Sequence, residues 1–257
     1  MKSIYIILFL VVSSFQLQAQ QLPDTLKIIS YNLRFGERAS MEEFAAFINA
    51  KNADLVALQE VDIKTFRKRA PHQNSKDFMG ELAYMTGMFA AFGKTIDYAG
   101  GYYGIGILSK YPMSKTESIL LPFTKNGKEQ RALLVAHIEL SSDKIIVFAS
   151  THLDYTNTEE RQLQVQKIND TLLSKSIPVL VCGDFNARPA STEIQSGMGQ
   201  WTSLDIGAPT ASSDQPKFKI DYIFGYPQMN LKLLHSETPK ILLSDHLPIV
   251  STIKINW

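Results

Sequence analysis

Polar side chains of three kinds, carboxylates, amides and imidazoles, recur where the apolar runs of this sequence stop. They are Asn32, Glu60, His152, Asp154, Asp184, Asn186, Asp221, Asp245 and His246. A single Asp or Asn in such a place is usually a turn residue or a helix cap. Repetition changes that interpretation, because strands that end at one rim of a sheet bring their last side chains together. The sequence therefore predicts one polar site built from several strand ends.

Three of the carboxylates follow or interrupt strongly apolar segments. Glu60 ends DLVALQE, Asp184 follows VLVCG, and Asp221 lies inside KIDYIF. A buried carboxylate needs a partner that offsets its lost hydration, and a shared cation would supply one. Oxygen ligands without Cys or an H-E-x-x-H motif favour Mg²⁺, Mn²⁺ or Ca²⁺ over zinc.

The two histidines of the set suit proton transfer or charge stabilisation. His152 and His246 each have an acidic or hydroxyl neighbour at a strand end, where a carboxylate could fix the tautomer of the ring and raise its basicity. The sequence has no G-x-S-x-G, no P-loop, no S-x-x-K and no G-x-G-x-x-G before a helix. Serine nucleophiles and nucleotide cofactors are therefore disfavoured.

Short apolar runs rich in β-branched residues predict the strands that would position these side chains. The runs cover residues 26–30, 54–59, 104–109, 132–140, 144–150, 178–183, 219–224 and 247–255. Amphipathic patterns predict helices over 41–50, 77–86 and 158–174, the last beginning with the capping-box-like pair Asn157 and Glu160. Many strands, often joined by short turns, favour two stacked sheets covered by helices over a parallel doubly wound sheet.

Glycines within one predicted strand and the single cysteine give further information about the fold. Gly101, Gly104 and Gly106 fall within a strand pattern and predict a bulge or a close approach of another backbone. Cys182 is the only cysteine, so no disulfide can form within the chain. Its apolar neighbours predict a small core residue rather than a nucleophile.

Length and composition predict one globular domain. The chain has 257 residues, of which 45% are hydrophobic, and a formal net charge of +1. We find no linker or internal repeat, and therefore expect residues 21–257 to form a single domain that acts as a monomer. The near-zero charge neither favours nor excludes a polyanionic partner.

The first 20 residues have the layout of a signal peptide. Lys2 precedes an apolar run from Ile4 to Val12, and small Ala19 follows in a polar stretch. The run is too short to span a bilayer, so we expect cleavage near Ala19, export to the periplasm or the medium, and no transmembrane segment in the mature chain. The alternative is a buried N-terminal strand.

Seven segments, taken in order, carry a resemblance to a known family. They are SYNLR (30–34), LQEVD (58–62), GYYGIGILSK (101–110), STHLD (150–154), GDFNARP (183–189), KIDYIF (219–224) and LSDHLPIV (243–250). Together they resemble the endonuclease/exonuclease/phosphatase superfamily over residues 26–257. His152 stands where repair nucleases of the exonuclease III type have Tyr-Val-Pro-Asn, so the chain is more similar to deoxyribonuclease I, sphingomyelinases and deadenylases.

The resemblance implies a fold and a set of metal and substrate contacts. The fold is an α/β (α+β) four-layer sandwich, in which two mainly antiparallel sheets are flanked by helices and the site lies at one end. The implied metal ligands are Glu60, Asn32 and Asp245, the last directly or through a second shell of contacts. The implied substrate-binding residues are Asn32, Tyr102 and Asn186. Tyr103 is adjacent and competes with Tyr102 for the phosphate-contacting position.

The catalytic residues implied by the same resemblance are His152, Asp184, Asn186, Asp221 and His246. Asp184 and Asn186 would orient or deprotonate the attacking water and contact the phosphate, and Asp221 would hydrogen-bond His246. Either Asp184 or His246 could be the base. Asp154 has an equally good interpretation as a structural turn residue.

The leading functional hypothesis is an exported hydrolase of phosphoric esters. It would need a divalent cation, use no covalent intermediate, and act on a small or lipid-derived phosphate ester such as a sphingomyelin-like, inositol phosphate or sugar phosphate substrate. A secreted nuclease and a noncatalytic binding protein are the alternatives. The basic segment 62–76 could shape a phosphate pocket or be a solvated loop. Its cations and imidazole are Lys64, Arg67, Lys68, Arg69, His72 and Lys76.

Overall fold

Two six-stranded sheets and three helices make up most of the computed structural model, which describes residues 25–227 and 230–257. The strands are β1 (Thr25–Asn32), β2 (Leu55–Ile63), β3 (Phe89–Tyr98), β4 (Gly101–Ser109), β5 (Met113–Leu120), β6 (Ala132–Ser141), β7 (Lys144–His152), β8 (Val179–Asp184), β9 (Thr202–Ser203), β10 (Asp221–Tyr226), β11 (Leu231–Glu237) and β12 (Ile249–Ile255). The helices are α1 (Met41–Lys51), α2 (Phe78–Thr86) and α3 (Thr158–Leu172). Short helical turns cover Arg34–Gly36, Pro71–Gln73 and Glu193–Gly197.

The sheets are mixed but mainly antiparallel. The first has the strand order β11-β12-β1-β2-β4-β3 and the second β5-β6-β7-β8-β10-β9. Only β1 with β2 and β7 with β8 pair in parallel among the described strands. These two parallel pairs lie at the middle of their sheets, and their carboxyl ends carry the polar residues considered below.

Apolar side chains fill three layers, which explains the unbroken hydrophobic runs of the central strands. Leu55 and Ala57 of β2 point into the layer between the sheets, whereas Val56 and Leu58 point towards α1 and α2. A third layer lies between the second sheet and α3. Strands covered on both faces lose the alternation of apolar and polar residues. The predicted four-layer arrangement is confirmed.

Helix α3 is held by its apolar face and by a side-chain cap at its first turn. Val165, Ile168 and Leu172 pack in the third layer, as the periodicity predicts. The Asn157 side chain caps the helix by accepting a hydrogen bond from the Glu160 backbone nitrogen at 3.0 Å. The Glu160 carboxylate does not complete a capping box, because it accepts hydrogen bonds from Thr124 instead.

Two sequence predictions about small residues are also confirmed. A Cβ atom at Gly101 would lie 2.2 Å from the carbonyl oxygen of Ile63, and one at Gly104 would lie 2.1 Å from that of Gly93. Only glycine fits such close backbones. The prediction does not hold in this form for Gly106, where a Cβ atom would meet the Met79 side chain and not a backbone. Cys182 is fully buried in the layer between the sheets, and burial raises the pKa of its thiol well above the usual range.

The predicted signal peptide, residues 1–20, lies outside the described residues. Among the helices of the described part of the chain, none is long and apolar enough to cross a membrane.

Candidate active site

Three neighbouring strands of the second sheet carry polar side chains at the same end of the sheet. His152 ends β7 and is in register with Asp184, which ends β8; Asp184 is in register with Asp221, the first residue of β10. Because β10 runs antiparallel to β8, the first residue of β10 lies beside the last residues of β7 and β8. All three side chains are buried.

The first sheet contributes Asn32 and Glu60 to the same place. Asn32 ends β1, and Glu60 lies in a bulge, because Leu58 pairs with Gly106 while Val61 pairs with Gly104. Glu60 has a φ of 55°, in the left-handed region that a residue with a Cβ seldom adopts. Such strain costs about 1–3 kcal/mol, and bulges commonly re-aim a side chain beside a functional site.

Asn32 joins the two sheets at this edge. Its Nδ2 donates hydrogen bonds to Oε1 of Glu60 at 3.0 Å and to Oδ2 of Asp184 at 3.2 Å. Its Oδ1 accepts from the backbone nitrogen of Arg34 at 2.9 Å, which fixes the orientation of the amide. Asn32 thereby binds the carboxylates of Glu60 and Asp184, which belong to different sheets.

Three nitrogen atoms converge on Oδ2 of Asp184. Besides Nδ2 of Asn32, they are Nε2 of His152 at 3.5 Å and Nε2 of His246 at 3.7 Å. The other oxygen, Oδ1, accepts from the backbone nitrogen of Asn186 at 2.8 Å. Burial and the charges of Asp221 and Glu60 raise the pKa of Asp184 to about 7, against the opposing effects of the His246 charge and the hydrogen bond from Asn186.

His246 forms a close pair with Asp221. Its Nδ1 lies 2.9 Å from Oδ2 of Asp221, whereas Oδ1 of Asp221 is buried without a hydrogen-bond partner in the described chain. Burial alone would lower the pKa of His246, but the charges of Asp221 and Asp184 outweigh it and raise this pKa to about 10. His246 is therefore a cation at neutral pH.

His152 has the opposite character. Nη1 of Arg131 lies 3.2 Å from its Nδ1, and a guanidinium can only donate, so Nδ1 accepts and the ring hydrogen belongs on Nε2, facing Asp184. Burial, reinforced by the charges of Arg131 and His246, lowers the pKa of His152 well below its usual value. The ring is neutral, and its Nε2–H is a fixed donor.

Sequence reasoning missed Arg131 and a second buried cation, Lys219. Arg131 forms an ion pair with Glu129 at 2.8 Å. Lys219 donates to Oδ1 of Asp205 at 2.6 Å and to the carbonyl oxygen of Asp221 at 3.0 Å, so it supports the backbone that carries Asp221. The available signal was a basic residue directly before or within an otherwise apolar strand, as in RALLVA and KIDYIF.

Two other predicted residues lie on the loops that follow β7 and β8. Asn186 adopts a left-handed φ of 48°, and its side chain donates to the carbonyl oxygen of Leu153 at 3.0 Å. Asp154 accepts hydrogen bonds from the backbone nitrogens of Thr156 at 2.8 Å and Asn157 at 2.9 Å. These contacts support the turn role for Asp154.

Within the described chain, neither Asp245 nor Tyr102 hydrogen-bonds Asp184. The Asp245 carboxylate forms an ion pair with Arg34 through Oδ2, one of its two oxygens. Tyr102 is 44% exposed, and Nζ of Lys94 lies 4.6 Å from the centre of its ring. Tyr103 is buried, and burial and then the charge of Glu60 raise the pKa of its phenol.

A divalent ion fits this group of side chains. The carboxylates of Asp184 and Asp221 offer oxygen ligands within 4.8 Å of each other and of a ring nitrogen of His246, which could coordinate an ion only after losing its proton. Glu60 adds a third carboxylate through its shared contact with Asn32. Three carboxylates beside one cationic imidazole leave an excess of negative charge, which a divalent ion would offset.

Comparison with known proteins finds matches along most of the chain. The model of the Endonuclease/Exonuclease/phosphatase family matches residues 29–246. An uncharacterized protein of Escherichia coli strain K12, YbhP, is 25% identical over 264 residues, which span 93% of this chain and 99% of that protein.

Solved structures with the same fold include an endonuclease/exonuclease/phosphatase from Beutenbergia cavernae, with a TM-score of 0.77 and 19% identity over 90% of this chain and 72% of that chain. The mannosyl-6-phosphatase Bt3783 of Bacteroides thetaiotaomicron has a TM-score of 0.70 and 15% identity over 90% of this chain and 100% of its own. The catalytic domain of human nocturnin has a TM-score of 0.68 and 20% identity over 91% and 95% of the two chains. At identities of 15–20%, these structures show that the fold is shared and nothing further.

Proposed function

The chain belongs to the endonuclease/exonuclease/phosphatase family, and from that premise we propose that it is a divalent-metal-dependent phosphoesterase. It would hydrolyse an ester of a small or lipid-derived molecule by direct attack of activated water. One observation carries the proposal: Asn32, His152 and His246 aim nitrogen atoms at a single oxygen of Asp184. A phosphate oxygen entering this space would meet the same donors.

Glu60 is the proposed direct metal ligand, with Asn32 beside it and hydrogen-bonded to its carboxylate. Asp221 and His246 are poorer ligands, because they hydrogen-bond each other at 2.9 Å and the ring is cationic. Asp245 is a further proposed ligand, directly or through a water molecule, because its ion pair with Arg34 uses only one of its oxygens. When bound, Mg²⁺ or Mn²⁺ would polarise the phosphoryl group and stabilise charge on the leaving oxygen.

Asp184 is the proposed general base. His246 already carries a proton at neutral pH, since its pKa is about 10, so it can donate but not accept one. The pKa of Asp184 is raised to about 7, close to the working pH at which a base is most effective. The backbone nitrogen of Asn186 holds one oxygen of this carboxylate and leaves the other to act on water.

The three donors have distinct proposed tasks. The Nε2–H of cationic His246 would stabilise negative charge on the phosphoryl oxygens, while Asp221 holds the ring through Nδ1. The neutral Nε2–H of His152 and the amide of Asn32 would add hydrogen bonds without adding charge. No side chain need form a covalent bond to phosphorus.

A small substrate is proposed on the basis of charge and of the fold. The formal net charge of +1 does not provide the strong positive field expected of a protein that tracks a nucleic acid backbone. The neighbour Bt3783 is named a mannosyl-6-phosphatase, which makes sugar phosphates a reasonable first class to test.

The test is a turnover assay on metal-stripped protein with Mg²⁺, Mn²⁺ or Ca²⁺ added back. The panel should contain sugar 6-phosphates, inositol phosphates, p-nitrophenyl phosphate, bis(p-nitrophenyl) phosphate, sphingomyelin vesicles, plasmid DNA and RNA. We expect turnover of a small phosphate ester that is lost in Asp184→Asn. Preferential cleavage of DNA or RNA would overturn the small-substrate proposal, and no turnover of any ester would overturn the enzyme proposal.

Export is a second part of the proposal. The apolar run from Ile4 to Val12 and small Ala19 support a cleaved signal peptide. Sequencing the N-terminus of protein recovered from the native cell envelope and medium tests this directly. A mature chain beginning near residue 20 is expected, and a cytoplasmic protein that keeps Met1 would refute export.

A further inference from the structure

A cavity of about 290 Å³ lies on the loop that follows β2, outside the group around Asp184. It is lined by Phe66, Arg67, Lys68, Arg69, Tyr98 and Ala99. Three consecutive lining residues are basic, and the two aromatic ones, Phe66 and Tyr98, are 59% and 43% exposed. A concave surface that combines positive charge with exposed rings suits an anionic group attached to an organic ring.

Arg67 is a rigid part of this cavity. Its Nε and Nη2 donate to the two carboxylate oxygens of Asp62 at 2.5 and 3.0 Å. The guanidinium also lies over the rings of Phe35 and Tyr98, 4.2 and 4.1 Å from their centres. These contacts fix the plane of the guanidinium and leave the two hydrogens of Nη1 without an acceptor in the described chain.

Arg69 and Lys68 add further donors. Arg69 repeats the arrangement, since its Nε and Nη2 donate to Glu37 at 2.8 and 2.9 Å and its Nη1 makes no hydrogen bond to a described residue. Lys68 is exposed and forms no ion pair within residues 25–227 and 230–257. The carboxylates of Asp62 and Glu37 therefore face three cations. This side of the cavity retains a net positive charge.

The cavity is connected to Glu60 through strand β2. Asp62 lies two residues after Glu60 on β2, which limits the separation of their Cα atoms to about 7 Å. The Arg67 guanidinium lies 5.0 Å from the centre of the Tyr103 ring, and Tyr103 pairs with Asp62 in the register of β2 and β4. The loop that lines the cavity therefore directly continues the strand that carries Glu60.

We propose that this cavity binds a second phosphate of the substrate, and that the preferred substrate is a ring-containing small molecule with two phosphate groups. This inference rests on the proposed phosphoesterase function. Lys68 and the Nη1 atoms of Arg67 and Arg69 bind the second phosphate, while the faces of Phe66 and Tyr98 contact the ring. The first phosphate lies at Asp184.

Binding of fructose 1,6-bisphosphate and of fructose 6-phosphate, measured by calorimetry with Mg²⁺, tests the inference. The Asp184→Asn protein serves as the background, because it should not turn the ligands over. We expect the bisphosphate to bind at least about tenfold more tightly than the monophosphate, a difference of about 1.4 kcal/mol. Lys68→Glu and Arg69→Gln, each added to this background, should remove most of that advantage.

Lys167→Glu on the exposed face of α3 is the matched charge-reversal control and should keep the preference. Equal affinity for the two ligands, or a preference that survives Lys68→Glu, would overturn the subsite. Arg67 is not replaced, because its loss would leave Asp62 buried without its cation. If the preference is found but the wild-type protein turns over no ester, the enzyme proposal fails and the phosphate subsite stands.

Discussion

Nδ1 of His246 lies 2.9 Å from Oδ2 of Asp221, which joins the loop before β12 to the first residue of β10. The same ring turns Nε2 towards Oδ2 of Asp184, 3.7 Å away. The carboxylate of Asp221 thus orients the imidazole of His246. The carboxylate of Asp184 lies where the reacting phosphate is proposed to bind. The pair can be tested as a unit.

Replacing His246 by Ala should lower turnover of the substrate by about a hundredfold or more, the usual scale for a lost acid, base or charge stabiliser. Asp221→Asn should cost less if Asp221 only orients the ring. The double variant should lose little beyond His246→Ala, because residues that act as a unit are not additive. Steady-state kinetics on the three variants measure this.

Thermal unfolding of the same variants distinguishes a catalytic from a structural role. If His246 only packs beside Leu247 and Pro248, its loss should lower stability while the rate per folded molecule stays near normal. An intact rate in folded His246→Ala protein would remove this residue from the mechanism.

Adding Mg²⁺ or Mn²⁺ to chelator-treated protein should raise its free energy of unfolding. A ligand at 100 times its Kd stabilises a protein by about 2.7 kcal/mol. Glu60→Gln should abolish most of this gain, because a neutral amide removes a charged oxygen ligand from the site. Thermal unfolding against metal concentration is the measurement.

Glu159→Gln, at an exposed position of α3, is the matched control and should keep the full response to the metal. Full turnover of a phosphate ester in excess chelator would contradict metal dependence. An unchanged metal response in Glu60→Gln would show that the ion is held elsewhere.

Arg131→Met should raise the pKa of His152. Burial is the larger cause of its low pKa and persists in the variant, but the nearby positive charge and the hydrogen bond to Nδ1 are lost. Nitrogen NMR shifts of the His152 ring, followed against pH, report both its pKa and which nitrogen carries the hydrogen. Arg188→Met, at an exposed position, is the control. An unchanged tautomer in Arg131→Met would show that Arg131 does not set it.

Sequence patterns predicted the central strands because those strands are covered on both faces. The eight runs correspond to β1, β2, β4, β6, β7, β8, β10 and β12. The four described strands that were missed, β3, β5, β9 and β11, are the edge strands of the two sheets. β5 reads MSKTESIL and is mostly exposed, so it buries too little apolar surface to produce a recognisable run. Pairing with β6 through the backbone, rather than side-chain burial, defines it.

The candidate site was predicted in part for a related reason. Carboxylates and imidazoles stand out when they follow apolar strands, and the register of β7, β8 and β10 brings His152, Asp184 and Asp221 together. Sequence spacing could not show which neighbour each group faces. Arg131 comes close to His152 only through the pairing of β6 with β7, and Arg34 reaches Asp245 across more than 200 residues of chain.

Loss of the proton from His246 should lower the stability of the metal-free protein as the pH rises from about 7 to about 10. The pKa of Asp184 rises from 3.8 in the unfolded chain to about 7 in the folded one, and that of His246 rises from 6.5 to about 10. A group whose pKa is higher in the folded state binds its proton more tightly there, so its contribution is complete below the unfolded value and is lost as the pH passes the folded value. Asp184 should act between pH 3.8 and about 7, where the lowered pKa of His152 acts in the opposite direction. His246 should act between pH 6.5 and about 10, and above pH 7 its effect is not offset by these two groups. Urea unfolding followed by the fluorescence of buried Trp201 measures the free energy. His246→Gln should flatten the profile above pH 7, whereas a wild-type profile that is already flat there would show that folding does not raise the pKa of His246.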